Sequence, residues 1–405
     1  MLGFFAQNAR WLSAGAFLAF GSSFGQTFFL SVFAGDIRAA FGLSHGEWAS
    51  IYAMGTLTSA VVMLWAGGLT DRFRVNRLGP VFLVALSLSC IFMATNSVVW
   101  LLPIVIFCLR FTGQGMASHI AMVAMSRWFV ANRGKAVAIS ALGYSVGEAL
   151  LPLTFIALLG IYAWTTLWWG AAGICLGLVP ILAVLLKKER SPQSIAAETE
   201  ARGMNDQHWT RVQMLRHPLF WTMLPAFLGP SAFVTGFFFF QEHYATVRGI
   251  SHLQFASVFP AFTAVAVVSM VITGMVLDIV GAHRLVAFHQ IPIGLGFLTF
   301  SMTQSMAGLL VGIALVGIST GAYATLISAF WAEFYGTRFL GSVKSVGTSV
   351  MVLGSSLGPA ILGIFLDLGR NLGHQYGWVS LYFVGTTLLM LVGVSRARPS
   401  LAQTA

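Results

Sequence analysis

Two ionisable side chains lie deep inside long apolar stretches of this chain, Arg110 within 99–126 and Glu148 within 136–158. A charge at the centre of a spanning helix costs about 2.5–3.5 kcal/mol on insertion scales, so it faces a cavity or a partner. At about 1.5 Å of rise per residue the two side chains reach similar depths, and we expect them to pair. Two interpretations stay open: a structural ion pair between neighbouring helices, or a pair that a proton or an anionic substrate opens.

The composition indicates what must surround these residues. Apolar residues make up 57% of the 405 positions and charged residues 8%. A soluble domain carries about 25% charged residues, so the outer surface of this protein must face lipid. The apolar stretches are long and continuous and do not alternate as barrel strands do, which predicts membrane-spanning α-helices.

The hydrophobic pattern predicts an all-α polytopic membrane protein with twelve transmembrane helices. A polar interruption at 187–217 separates a six-helix bundle at 1–186 from a second at 218–405 and is interpreted as a cytoplasmic linker. The predicted spans are 11–34, 47–68, 78–95, 99–126, 136–158, 161–186, 218–241, 253–277, 284–301, 305–331, 341–367 and 377–394.

The distribution of cations predicts the orientation. With the N-terminus inside, 18 of the 22 Lys and Arg fall in inner loops and 3 in outer loops, while Arg110 remains within a span. Inner loops collect cations, so both termini are expected in the cytoplasm. The net charge of +10 therefore reflects topology, and no nucleic-acid partner is implied.

The two bundles repeat each other at a constant offset of 207 positions. Gly42–Ser50 (GLSHGEWAS) falls on Gly249–Ser257 (GISHLQFAS), and the same shift places Gly147 on Gly354 and Pro152 on Pro359. Parallel six-helix repeats of this kind are a transporter architecture, with a binding site expected between the halves near the bilayer midplane.

The loop after the second span reads GGLTDRFRVNR and resembles the G-x-L-a-D-R-x-G-R-[KR] signature of the major facilitator superfamily. It contains Gly67, Asp71 and Arg72, and a second copy contains Asp278 and Arg284. The resemblance implies that these five residues latch the inner gate. Anchoring by positive charge at the inner interface is the alternative interpretation.

Span 4 and the loop that follows it carry two further resemblances. Span 4 reads RFTGQG from Arg110 to Gly115, which resembles the R-x-x-x-G-x-G pattern of the superfamily. The segment 113–140 contains a WF-x-x-x-R-G loop with Trp128 and Arg133 and is similar to the monocarboxylate and oxalate/formate branch, which implies a small carboxylate moved with protons or by exchange. Oxalate exchangers hold a dianion with cations in spans 8 and 11. Here span 8 has none and Lys344 lies near the inner end of span 11, which favours a monoanion.

Spans that line the cavity in this family supply the remaining candidate substrate contacts. Tyr144 lies one turn before Glu148 on the same helix face. The four others are spread over three spans: Gln26, Ser231, Thr235 and Tyr323. The aromatic run Phe237–Phe240 is interpreted either as lipid-facing or as a plug of the gate.

The sequence therefore predicts a secondary active transporter of a small organic anion that works by alternating access, by symport or antiport. The alternative is a proton-driven efflux pump for drugs. Its expected Gly-x-x-x-Gly-Pro run in span 5 occurs here in span 11, at Gly354–Pro359. No nucleophile or metal cluster predicts an enzyme, and no cofactor is expected. We expect a monomer in a bacterial inner membrane, with lipid and a small solute as its partners.

Overall fold

Regular structure in this protein is helical wherever it is described. The computed structural model describes residues 2–67, 69–129, 133–187, 202–336 and 339–401, and none of these residues is in a strand. The predicted all-α fold class is confirmed.

Apolar helices of membrane-spanning length account for most of the chain. In the described ranges nine helices are long and apolar enough to cross a membrane, and a tenth is added if Gln7–Gly25 and Thr27–Phe41, bent by 46°, form one span. Two helices, His45–Ala66 and Ile291–Met302, occupy the positions of predicted spans 2 and 9. Each of the twelve predicted spans therefore corresponds to a helical segment.

The α-helices described before the linker belong to the first repeat, and several are consecutive pieces of one span. They are α1 Leu2–Ser22, α2 Thr27–Leu30, α3 Ala34–Phe41, α4 His45–Ala66, α5 Leu69–Arg72, α6 Val75–Thr95, α7 Leu102–Leu109, α8 Ser118–Trp128, α9 Arg133–Leu159 and α10 Trp164–Leu185.

One short α-helix of the linker, α11 Arg211–Arg216, precedes the helices described in the second repeat. These are α12 Pro218–Phe239, α13 Gln241–Val247, α14 His252–Ala256, α15 Phe259–Val280, α16 Ala282–Leu285, α17 Ile291–Met302, α18 Met306–Tyr335, α19 Leu340–Asp367 and α20 Leu372–Ala397.

Contacts between Cα atoms divide the chain into two compact units. The first contains Met1–Glu198 together with Phe238–His243 and Ser251–Phe259. The second contains Thr199–Phe237, Tyr244–Ile250 and Pro260–Ala405. The end of α12 and the start of α13 are therefore packed within the first unit.

Two spans are less regular than predicted. Span 1 breaks at Gln26, which is extended (φ −87°, ψ 156°), after the short 3₁₀ turn Ser23–Gly25. Predicted span 9 is divided by a turn at 286–290, so its main helix, α17, has 12 residues and carries Pro292 in its first turn. Proline suits that position because its missing N–H would have no helical acceptor there. The predicted span over 284–301 is therefore helical at both ends and interrupted by this turn.

The internal repeat is visible in the turns before α4 and α14. Gly42 and Gly249 both adopt left-handed backbone angles, with φ of +63° and +65°. Two residues later Ser44 and Ser251 each form a capping box, with Glu47 and Gln254 respectively. One turn geometry therefore serves both copies of the repeated sequence.

A second pair of repeat-related positions lies at helix crossings. A Cβ on Gly147 of α9 would overlap Ser23 Oγ in the first unit, and a Cβ on Gly354 of α19 would overlap Ser231 Oγ in the second. Small residues allow the backbones of spanning helices to approach closely. The glycines matched by the offset of 207 therefore make equivalent contacts in their own units.

The aromatic run Phe237–Phe240 is buried, each side chain being at most 6% exposed. Phe237 stacks on Phe300 in the second unit at 4.2 Å between ring centroids. Phe239 stacks on Trp48 in the first unit at 5.9 Å. The lipid-facing interpretation of this run is wrong, because both units use its rings in their cores.

Candidate substrate site

Arg110 lies in the middle of span 4, in a segment whose backbone departs from α-helical geometry. Arg110–Ala117 is π-helical and separates α7 from α8. Single π-turns inside α-helices occur frequently at functional sites, and they shift side chains from their regular helical positions. The side chain of Arg110 is 0% exposed.

The break in span 1 supplies the hydrogen-bond acceptor of Arg110. Arg110 Nη1 donates to the carbonyl oxygen of Gly25 at 3.0 Å. Since Gln26 is extended, the chain leaves the helix here, and carbonyl groups at a helix end need a donor from elsewhere. Gln26, a predicted substrate contact, is itself buried at this break. The arginine thus satisfies a backbone group that the break exposes.

Other polar atoms of Arg110 remain available. Nε and Nη2 are buried and have no hydrogen-bond partner among the described residues. The guanidinium carbon lies 5.3 Å from the ring centroid of Tyr52, a cation–π distance. Tyr52 in turn shares a hydrogen bond of 2.5 Å with Thr27. An oriented guanidinium with two unpartnered N–H groups is suited to bind a carboxylate through two parallel hydrogen bonds.

Tyr144 contacts one of the two charges that were expected to pair. Its hydroxyl donates to Glu148 Oε1 at 3.2 Å, and its ring packs edge-on against Phe28. The expected direct bond between Arg110 and Glu148 is not formed, because the guanidinium turns towards Gly25 and Tyr52. Four predicted contacts all belong to the first unit: Gln26, Arg110, Tyr144 and Glu148.

The other three predicted substrate contacts belong to the second unit. Ser231 donates to the carbonyl of Leu228 on its own helix at 2.9 Å. Tyr323 is half-buried, and its hydroxyl is 3.5 Å from the carbonyl of Phe227. Thr235 is half-buried on α12. The hydroxyls of Ser231 and Tyr323 are thus engaged with backbone carbonyls.

The first copy of the predicted gate motif forms a tight turn after α4. The carbonyl of Gly67 accepts from Thr70 Oγ1 at 2.8 Å, and a Cβ on Gly67 would lie 3.5 Å from the His119 ring. Arg72, at the end of α5, is exposed. The side chain of Asp71 lies outside the described part of the structure.

The second copy of the motif is held by an acid that the sequence analysis did not consider. Glu333 on α18 accepts from the backbone N–H of Ala282 at 2.8 Å and contacts His283. Arg284, in the same short helix α16, is exposed. The side chain of Asp278 lies outside the described residues. A carboxylate at the N-terminus of a helix stabilises its free N–H groups, so Glu333 fixes the loop that contains Arg284.

The structure describes both sides of the WF-x-x-x-R-G loop after span 4. Trp128 ends α8 and is 3% exposed, the following Phe129 is 1% exposed, and α9 begins at Arg133. Residues 130–132 of this motif lie outside the described ranges.

Sequence reasoning missed Tyr52, the Gly25 carbonyl and Glu333. A tyrosine inside an apolar run has no special spacing, and a backbone carbonyl has no sequence signature at all. Glu333 had a signal, because it is an acid in predicted cytoplasmic-side sequence, two residues beyond the predicted end of span 10.

Comparison with known families supports this architecture. The sequence profile described as Major Facilitator Superfamily matches residues 15–359. An uncharacterised MFS-type transporter of Escherichia coli strain K12, YhjX, is 22% identical over 360 residues, or 87% of this chain and 86% of that protein. The 3-(3-hydroxy-phenyl)propionate transporter of the same strain is 24% identical over 354 residues, which are 84% of this chain and 82% of that protein.

Solved structures share the fold at low sequence identity. A bacterial homologue of the human lysosomal transporter Spinster, crystallised in an inward-facing and unoccupied conformation, superposes with a TM-score of 0.69. It is 16% identical, over 98% of this chain and 99% of that one. A point mutant of the nucleoside transporter NupG also gives a TM-score of 0.69, at 12% identity over 96% of this chain and 99% of that one.

Proposed function

Because the chain belongs to the Major Facilitator Superfamily, we propose that it is a secondary transporter that moves a small organic anion, a monocarboxylate, by alternating access. The driving force is a proton gradient or the exchange of one anion for another. This is the chemistry of the monocarboxylate and oxalate/formate branch, and the observation that supports it is the state of Arg110.

Arg110 is a fully buried cation whose Nε and Nη2 have no partner among the described residues. Leaving two charged donors unsatisfied in a low-dielectric environment is costly, and a carboxylate group satisfies both at once. One monoanion neutralises one guanidinium, whereas a second carboxylate would need a second cation. The charge balance therefore favours a monocarboxylate over a dicarboxylate.

A relative adds independent support. The E. coli protein that is 24% identical over 84% of this chain is named for 3-(3-hydroxy-phenyl)propionate, an organic anion with one carboxylate. In the first unit the ring of Tyr52 lies beside Arg110, and the rings of Phe28 and Tyr144 pack against each other. Such rings would contact the apolar part of a monocarboxylate.

Coupling is assigned to Glu148 and Tyr144. Protonation of Glu148 removes the charged acceptor of the Tyr144 hydroxyl, which is 3.2 Å away. Tyr144 and Arg110 belong to the same unit, and we infer that reorientation of the Tyr144 hydroxyl dipole changes the field at the anion site. The pair of Arg110 and Glu148 thus acts through Tyr144 in this proposal.

The loops containing Gly67, Asp71 and Arg72 and containing Asp278 and Arg284 are proposed to latch the inner gate. Both termini are proposed to lie in the cytoplasm of a bacterial cell, with the protein acting as a monomer in the inner membrane. The second repeat is proposed to complete the substrate contacts, through Ser231, Thr235 and Tyr323.

The test compares ligand-induced stabilisation of purified protein in detergent. Phenylpropionate, lactate, succinate and tetraphenylphosphonium serve as probes, with wild type, Arg110→Lys and Arg110→Met. A ligand at about 100 times its Kd stabilises the folded protein by about 2.7 kcal/mol. We expect stabilisation of wild type by a monocarboxylate and its loss in Arg110→Met. Lysine keeps the charge but cannot form two parallel bonds, so Arg110→Lys should retain a weaker response.

Arg248→Lys is the matched control. Arg248 is half-buried and, like Arg110, donates to the backbone, in this case to the carbonyls of Thr303 and Phe300. Its substitution should lower the melting temperature without changing the ligand response. Stabilisation by tetraphenylphosphonium alone would instead assign the protein to efflux, and an unchanged response in Arg110→Met would reject the site.

A further inference from the structure

A small pocket lies in the first unit, beside the first turns of α3 and α4. Its floor is aromatic and its rim is charged. It is lined by Ala34, Arg38, His45, Trp48, Phe239, Phe240, Glu242 and His243. In the predicted orientation this end of α4 faces the outside.

His45 is held in its neutral form by geometry. Its Nε2 lies 3.1 Å from Arg38 Nη1. Since arginine has donors and no acceptor, Nε2 must be the acceptor, and the ring proton resides on Nδ1. Protonation of Nε2 would break this bond and place two cations side by side.

His243 packs against that ring. The centroids of His45 and His243 are 4.4 Å apart, edge to face. Burial lowers the pKa of His243 below its ordinary value, and the neighbouring charge of Arg38 lowers this pKa further. His243 therefore binds a proton less tightly while the rings are packed.

For Glu242, burial favours the protonated form, whereas for His243 it favours the neutral, deprotonated form. Its carboxylate lies directly against Gly35, where a Cβ would overlap both oxygens. Burial raises the pKa of Glu242 above its ordinary value, Asp36 raises it as well, and Arg38 and the backbone N–H of Gly35 lower it. Glu242 therefore binds a proton more tightly while its carboxylate is buried in this cradle than it would in water.

The segment Phe238–His243, named here the docking segment, also makes contacts with groups that do not titrate near neutral pH. Phe239 packs on Tyr52 at 4.8 Å, and Gln241 Nε2 donates to Ser31 Oγ at 3.0 Å. Gln241 is 0% exposed. These apolar and neutral polar contacts are independent of pH, so the charge state of the rim decides how the docking equilibrium responds to protons.

We propose that His45, Glu242 and His243 form a proton-binding site that controls whether the docking segment stays packed on α3 and α4. These three side chains are not arranged to bind a metal ion, since no group of three or more His, Cys, Asp or Glu suited to hold one occurs among the described residues. The site is separate from Arg110 and does not depend on which solute is carried. Through Phe239 and Tyr52, however, undocking would also disturb the ring that lies beside Arg110.

Glu242 and His243 make the docking equilibrium depend on pH in opposite directions. Docking raises the pKa of Glu242, so its contribution stabilises the docked state increasingly as the pH falls through that raised pKa. Docking lowers the pKa of His243, so its contribution is present above about pH 6.5 and is lost as the pH falls. A group that binds its proton about ten times more tightly in one state than in the other changes the docking equilibrium by up to about tenfold.

The test follows the accessibility of the pocket wall. Ala34, 5% exposed beneath the docking segment, is replaced as Ala34→Cys and labelled with a water-soluble maleimide in detergent. Val247→Cys, at a position 61% exposed, corrects for the effect of pH on thiol reactivity. The parent chain reports background from Cys90, Cys108 and Cys175, of which the first and last are buried.

Variants separate the two contributions. In Glu242→Gln, which leaves the histidines, the relative labelling rate at position 34 should rise about tenfold between about pH 7.5 and about pH 5. In the double variant His45→Gln with His243→Gln, which leaves Glu242, the relative rate should fall over the same interval. Glutamine keeps a neutral acceptor for Arg38 without titrating.

Gly35→Ala is a positive control, because its Cβ would displace the Glu242 carboxylate and open the pocket at every pH. His374→Gln, at a histidine in α20 of the second unit, is the matched neutral control and should behave as the unsubstituted reporter. Equal pH slopes in Glu242→Gln and in the double histidine variant would overturn the proposal. The result is independent of substrate, so it stands or falls separately from the monocarboxylate assignment.

Discussion

Arg110 Nη1 donates a hydrogen bond to the carbonyl of Gly25, a residue 85 positions earlier in the chain, at 3.0 Å. This one bond ties span 4 to the break in span 1. It also orients the guanidinium so that Nε and Nη2 are directed elsewhere. The same side chain is therefore a structural partner of span 1 and the proposed anchor of the substrate, and variants of neighbouring residues can separate the two roles.

Substitution of Tyr52 should affect anion binding without removing any charge. The ring lies 5.3 Å from the Arg110 guanidinium, and a desolvated cation–π contact is worth about 2 kcal/mol. We expect Tyr52→Leu to weaken monocarboxylate binding by about tenfold to thirtyfold in a ligand titration. Tyr52→Phe keeps the ring and loses the bond to Thr27, so its effect should be smaller. Equal losses in both variants would contradict a role for the ring.

Close approach of spans 1 and 4 should make two glycines intolerant of a methyl group. A Cβ on Gly25 would overlap the carbonyl oxygen of Leu109, and one on Gly113 would lie 2.7 Å from Gly25 Cα. Overpacking of this kind costs about 1–3 kcal/mol or more, so Gly25→Ala and Gly113→Ala should lower the melting temperature clearly. Gly173→Ala is the control, since nothing lies within 4 Å of its Cβ position. It should be neutral or slightly stabilising, because alanine favours helix.

His217 should make the start of α12 sensitive to acid. Its Nδ1 accepts from the backbone N–H of Leu219 at 3.2 Å, and burial lowers the pKa of His217 below its ordinary value. A lowered folded-state pKa stabilises the protein above about pH 6.5, and this contribution is lost as the pH falls.

Hydrogen exchange of the Leu219 amide should therefore accelerate between about pH 6.5 and about pH 5 beyond the intrinsic effect of pH. His217→Asn keeps a capping acceptor that does not titrate, so in that variant the additional acceleration should disappear. Its persistence would show that another group controls this helix end.

Removal of Glu333 should loosen the second of the two loops that are proposed to latch the inner gate. Glu333→Ala deletes the acceptor of the Ala282 N–H as well as the partner of His283. A hydrogen bond to a charged group is worth about 1.5–3 kcal/mol, so exchange of the Ala282 amide should rise by about tenfold or more. Glu333→Gln keeps a neutral acceptor and should fall between wild type and Glu333→Ala. Wild-type exchange in both variants would mean that the loop is held by other contacts.

The fold class was predictable because the length of the hydrophobic stretches and the internal repeat are both visible in the linear sequence. The left-handed turns at Gly42 and Gly249 and the capping boxes at Ser44 and Ser251 follow directly from the repeated sequence. The breaks in spans 1 and 9 were not predicted. The sequence stays apolar across both breaks. Apolar composition indicates that a segment favours lipid, but it does not specify the backbone conformation of that segment.

For the candidate site, the sequence predicted which polar residues lie in one unit, and it did not predict their contacts. Arg110, Tyr144 and Glu148 are conspicuous as polar residues in apolar surroundings, and the structure gathers them in one unit. The direct contact expected from matching helix depths assumed regular α-helices. The π-helical segment that begins at Arg110 and the carbonyl of Gly25 redirect the guanidinium, and both belong to the backbone, whose geometry side-chain patterns do not reveal.

The paired capping boxes have a consequence for how this chain is made. Ser44 with Glu47, and Ser251 with Gln254, satisfy free N–H groups at the first turn of α4 and α14 from within four consecutive residues. A nascent chain therefore needs no finished neighbour to shield these groups when the helix leaves water. The second span of each repeat can therefore begin its helix before the later spans have been synthesised. Tertiary packing then brings together helices that have already formed.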